Sequence, residues 1–127
     1  MRRLILVLLL SAAELAAYAQ ERDSLLAVFW NLENFFDYRD GGTGESDTEF
    51  SSSGSRRWTS KRFYKKCQLI AKSMFWAGDK YGKMPDVIGV AEVENRWVLN
   101  QLISSTLLRK YDYKVIHRDS KDRRGID

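Results

Sequence analysis

Three observations predict an α/β fold for this chain. Two short, nearly continuous apolar runs, residues 25–30 and 86–93, have the length and the β-branched and aromatic content of buried strands. Between them, residues 60–77 carry apolar side chains at helical spacing. Each strand run then gives way to a polar residue at its carboxyl end, Asn31 after the first and Glu92 in the second. The full order of elements reads β, loop, α, β, α, β, β, with no internal repeat and no domain boundary.

The first residues are expected to leave before folding. Arg2 and Arg3 precede an apolar run at residues 4–10, and Ala17-Tyr18-Ala19 sets small residues where a signal peptidase reads. Residues 1–19 thus read as an export signal cut before Gln20, which implies a periplasmic or secreted protein. No stable membrane anchor is expected. The run is shorter than the roughly 20 residues of a spanning helix, and Glu14 interrupts the segment.

Residues 20–127 amount to one domain at most. The leader would carry a net +1, leaving +3 of the chain's +4. That is too little charge for a dedicated nucleic-acid arm. Cys67 is the only cysteine, so no internal disulfide and no cysteine–histidine zinc cluster can form. It falls on the apolar side of the predicted helix and reads as core packing.

The elements follow in order. After the first strand, residues 31–37 are expected to leave the sheet. Residues 37–60 form a long irregular stretch whose carboxylates lack EF-hand spacing. Thr59 or Ser60 can cap a helix running to Ala77, with Gly78 as its stop. Phe63, Cys67, Ile70, Ala71, Met74 and Phe75 define its buried face. Pro85 leads into the second strand. Asn95 can cap a second helix that ends near Lys110. Tyr113, Val115 and His117 alternate with Lys114, Ile116 and Arg118 as in a strand. Gly125 and Ile126 begin its expected hairpin partner.

Chemistry is expected at the strand ends, where ligands collect in layered α/β folds. A carboxylate beside a buried strand costs free energy unless it is paired or bound to a metal. Glu92 with Asn31 and water would suit Mg²⁺, which prefers oxygen ligands. On the residues alone, a local cap or ion pair explains Glu92 equally well.

Three ordered blocks sharpen this. Residues 29–37, Phe-Trp-Asn-Leu-Glu-Asn-Phe-Phe-Asp, resemble the first motif of the endonuclease/exonuclease/phosphatase family. Residues 85–95, Pro-Asp-Val-Ile-Gly-Val-Ala-Glu-Val-Glu-Asn, resemble its second. Residues 117–127, His-Arg-Asp-Ser-Lys-Asp-Arg-Arg-Gly-Ile-Asp, look like a third block of exported bacterial members. The resemblance implies Mg²⁺-dependent (or Mn²⁺-dependent) hydrolysis of a phosphoester, with nucleic acid among the substrates. It implies a four-layer α/β/β/α sandwich, of which residues 20–127 would be the N-terminal half. It makes Asn31 the catalytic asparagine that orients the phosphate or its attacking water, and Glu92 the metal ligand. Glu94 is a weaker candidate that would share the face of Glu92 in a regular strand. Arg123 and Arg124 could grip a phosphate.

The family's later Gly-Asp-x-Asn and Ser-Asp-His segments do not occur in this sequence, and His117, the only histidine, stands in the wrong block for catalysis. The chain is therefore expected to be an inactive, truncated part of such an enzyme. The rival reading is an exported non-catalytic protein that binds nucleic acid or phosphate through Arg56, Arg57, Lys61 and Lys65.

Overall fold

The computed structural model describes residues 24–39, 46, 49–121, 123 and 125–127. The expected signal at residues 1–19, part of the long loop and Arg124 lie outside the described residues. Among the described residues the order is β1 (Ala27–Phe35), α1 (Ser60–Tyr81), β2 (Val87–Val93), α2 (Arg96–Ser104) and a 3-10 turn (Leu107–Lys110). β1 and β2 pair in parallel. A parallel pair needs a long crossover, and α1 supplies it. The α/β expectation is met in this β-α-β unit.

Register sets what each face carries. Val28 pairs with Ile88, and both pack against the helical layer. Phe29 pairs with Gly89 and Asn31 with Ala91, one residue out of phase with that partly buried pair. Phe29 and Val87 are exposed. The core joins Leu32, Phe35 and Val93 of the sheet to Phe63, Cys67, Ile70, Ala71 and Met74 of α1 and to Val98 and Leu102 of α2. These α1 positions are those the helical spacing marked.

Several boundaries differ from expectation for local reasons. β1 continues to Phe35, so residues 31–35 stay in the sheet rather than leaving it. Helix α1 does not stop at Gly78. That glycine is buried, and a Cβ on it would stand 2.8 Å from Met84 Sδ, so it serves close packing. The stop is Gly82, whose φ of 74° is the left-handed cap that glycine accepts without a Cβ penalty. Thr59 caps the other end, accepting from the Arg62 N–H.

Asn95 caps α2 as expected, its Oδ1 accepting Val98 N at 3.1 Å. The helix ends at Ser104 rather than near Lys110. Ser105 Oγ donates to Gln101 O at 2.6 Å and Thr106 Oγ1 to Leu102 O at 2.7 Å. Thr106 Oγ1 also accepts Leu108 N at 3.2 Å, starting the 3-10 turn. Short hydroxyl side chains thus take over backbone bonding where the helix would have continued.

The strand expected over residues 113–118 does not form, and residues 112–121 are irregular. Arg96 donates to Val115 O at 2.8 Å and no ladder is present, but the expected alternation of faces holds: Tyr113 packs against the core and His117 turns inward, while Ile116 is 94% exposed. The expected hairpin is replaced by another pairing. Asp127 N donates to Val93 O at 2.9 Å and Val93 N to Asp127 O at 3.0 Å, which places Asp127 against β2. Among the described residues no helix is long and apolar enough to cross a membrane.

Candidate functional site

At their carboxyl ends the two strands lose register. Asn31 pairs with Ala91 and Phe35 with Val93, so Leu32, Glu33 and Asn34 stand opposite Glu92 alone. Glu33, Asn34 and Glu92 have φ of 54°, 57° and 59°, a left-handed region uncommon for residues other than glycine. Such residues persist where surrounding contacts over-determine them.

Those contacts centre on Asn31 and Glu92, the two residues the sequence marked. Asn31 Nδ2 donates to Glu92 Oε1 at 3.1 Å, and Asn31 Oδ1 accepts Glu33 N at 2.8 Å. Asn34 N donates to Glu92 Oε2 at 3.0 Å. Lys66, projecting from α1, donates to Glu33 O at 2.7 Å. Asn31 and Glu92, far apart in sequence, are thereby in direct contact, and the bulge holds the carboxylate between an amide side chain and a backbone N–H.

Charge around the site is mixed. Burial lowers the pKa of Lys66, while Glu33 and Glu92 pull it up. Its ammonium also lies 5.5 Å from the Phe35 ring and 5.6 Å from the Trp58 ring. The ligand atoms offered by Glu92 are oxygens, the chemistry Mg²⁺ and Mn²⁺ favour. A carboxylate has about four acceptor sites, so one that accepts hydrogen bonds can ligate a cation as well.

Glu94 does something else. The left-handed turn at Glu92 breaks strand alternation, and Glu94 Oε2 accepts Asp37 N at 2.6 Å. Asp37, almost fully buried, takes Arg39 Nη2 at 2.5 Å. The Arg39 guanidinium lies 3.6 Å over the Trp97 ring, and Asp37 raises its pKa. Glu94 therefore fastens the chain beyond β1 and does not share the setting of Glu92.

Arg123 is exposed in the turn before Gly125. Arg56 pairs with Glu49 at 2.7 Å, and its backbone carbonyl accepts from Arg62 at 2.5 Å. Lys61 and Lys65 are exposed on α1. An open groove of about 680 Å³ runs between β2 and residues 112–118, lined by Val90, Leu102 and Tyr113 among others. Neither Asn31 nor Glu92 borders it.

A family model described as endonuclease/exonuclease/phosphatase family matches residues 26–127. The chain belongs to that family. The match covers both strands, both helices and the 117–127 block, so all three sequence blocks lie inside it. Membership makes a phosphoesterase-type hydrolase domain, of a family typically dependent on divalent metal, the setting for the contact between Asn31 and Glu92. No curated protein and no solved structure matches.

Sequence reasoning missed two partners of this site. Lys66 was indistinguishable from the other lysines of a solvated helix face. The Asn34 N–H enters only because of the bulge. In the sequence His117 reads only as one position of the expected strand, in the wrong block for catalysis. Its Nε2 lies 2.9 Å from Asp127 Oδ2, and its Nδ1 lies 3.6 Å from Asp119 Oδ1.

Proposed function

We propose that this chain supplies the cation-binding part of a metal-dependent phosphoester hydrolase. The observation that carries the reading is the 3.1 Å contact between Asn31 Nδ2 and Glu92 Oε1 at the strand ends. Glu92 would hold Mg²⁺ or Mn²⁺, and the bound cation would stabilise negative charge on the phosphoryl group. Asn31 orients the carboxylate through one N–H and has a second N–H with which to bind a phosphoryl oxygen. Lys66 restrains the bulge through Glu33 O and adds positive charge near Glu92. Arg123 and Arg124 are proposed to contact the phosphate of the substrate.

The finer architecture belongs to the same proposal: a four-layer α/β/β/α sandwich, exported by a signal at residues 1–19. The sequence contains no Ser-Asp-His segment to provide a catalytic histidine. Residues 20–127 alone are accordingly expected to bind the cation without hydrolysing a phosphodiester.

Titration of the chain with Mn²⁺, followed by electron paramagnetic resonance, tests this. Wild-type protein should take up Mn²⁺ in competition with Mg²⁺. Glu92→Gln should weaken uptake by at least about tenfold, the scale on which the surroundings of a metal site act. Equal Mn²⁺ affinity in the two proteins would remove Glu92 as the ligand.

A further inference from the structure

Residues 117–127 hold a second constellation, apart from the contact between Asn31 and Glu92. One ligand atom from each of His117, Asp119 and Asp127 lies within 4.8 Å of the others. His117 retains only 9% of its side-chain exposure, Asp127 retains 20%, and Asp119 is 89% exposed. Carboxylates near a histidine are common without any ion. Here the buried nitrogen adds something independent. His117 Nε2 is fully enclosed and has no hydrogen-bond partner. Asp127 Oδ2 is close, at 2.9 Å, but outside hydrogen-bonding geometry. A buried polar atom left unpaired costs free energy and calls for an explanation. Two ligands of one ion do stand at such a separation without bonding to each other. At metal–ligand distances of about 2.0–2.1 Å, tetrahedral neighbours are roughly 3.3 Å apart, and octahedral neighbours are closer.

The backbone around these side chains is held from two sides. Asp127 exchanges two hydrogen bonds with Val93 at 2.9 and 3.0 Å, and its Oδ1 accepts from Ser120 N. Arg96, the first residue of α2, donates to Val115 O at 2.8 Å and to His117 O at 3.4 Å. His117 and Asp127 are thus anchored to different elements, while the exposed Asp119 can close over an ion.

We propose that His117, Asp119 and Asp127 form a second divalent-cation site, which clips the 117–127 turn to the end of β2. One imidazole and two carboxylates favour a borderline transition cation, Zn²⁺ or Co²⁺, over Mg²⁺, which takes oxygen ligands. With three protein ligands the remaining positions fall to water. The clip fixes the turn that carries Arg123, beside the strand that carries Glu92. It needs neither Glu92 nor turnover.

Co²⁺ titration of the metal-stripped full chain in excess Mg²⁺ tests this through the visible ligand-field absorption of Co²⁺. One equivalent should bind and be displaced by Zn²⁺. His117→Asn should abolish the band, and Asp119→Asn should lower Co²⁺ affinity about tenfold or more. Glu92→Gln should leave Co²⁺ binding unchanged, so this site and the Mn²⁺ site fail or stand separately. Should His117→Asn not fold, as judged by circular dichroism, the exposed Asp119→Asn decides alone. No Co²⁺ band in wild-type protein, or undiminished affinity in Asp119→Asn, would overturn the proposal.

Discussion

Lys66 and Cys67 are adjacent on α1 yet meet opposite constraints. Lys66 is half-buried and gives its ammonium to Glu33 O. Its pKa lies below the ordinary lysine value, chiefly through burial. A group whose folded pKa is depressed in this way destabilises the fold while protonated, and the penalty is relieved as pH rises past that folded pKa. Cys67 is fully buried, and burial pushes its thiol up to about 11. The thiolate is the reactive form, so the native thiol should resist alkylation. At pH 8, iodoacetamide should label the folded protein far more slowly than the urea-unfolded protein, followed by mass spectrometry; equal rates would contradict the buried placement. At this scale the site was partly legible. Asn31 and Glu92 showed themselves as polar residues closing apolar strands. Glu94 misled because alternation assumes a regular strand, and Glu92 is left-handed. His117 did not stand out, because Asp127, whose Oδ2 lies 2.9 Å from its Nε2, comes near only through pairing with β2.

Elements were legible where periodicity alone decides them. α1 follows its apolar spacing; of the two candidates for its cap Thr59 is the one used, and the predicted cap Asn95 is in place. The misplaced boundaries are those where a side chain or a neighbouring element competes with local preference. Gly78 looks like a stop in sequence but packs against Met84, and Gly82 is the true one. A Cβ at Gly82 would meet nothing within 4 Å, so substitution there perturbs only the backbone. Gly82→Ala should cost about 1 kcal/mol, read as a lowered urea midpoint with an unchanged slope. No change would mean that the cap does not hold α1. The alternation of residues 113–118 misled for a related reason. Alternation marks a strand only where a neighbour offers a ladder, and here Arg96 takes the Val115 carbonyl instead.

At the scale of the molecule, one aromatic side chain joins the layers. Phe63 is fully buried, and its ring centre lies 5.3 Å from that of Phe35 on β1 and 5.5 Å from that of Trp97 on α2. Tyr38, from the chain beyond β1, comes within 5.4 Å. Removing the ring opens a cavity shared by sheet and helices. Phe63→Ala should lower stability by about 3–5 kcal/mol in urea unfolding and weaken the near-ultraviolet circular dichroism. A loss under about 1 kcal/mol would show that the layers do not depend on this ring. The β-α-β unit and its helical core could be anticipated because local patterns specify them. The pairing of Asp127 with Val93 could not, since it joins segments whose sequences carry no mutual signal.

The bulge has a consequence for how the site can be observed. The backbone amide of Asn34 donates directly to Glu92 Oε2, while a side-chain amide proton of Asn31 donates to Oε1. Both oxygens of one carboxylate are therefore wired to amide protons, each giving its own resonance in a nitrogen-15 spectrum. A diamagnetic, colourless ion such as Mg²⁺ is otherwise hard to follow. Here its arrival at Glu92 would redistribute charge on the acceptor and move those two signals together. The distortion that sets the carboxylate in place also makes the chain its own indicator.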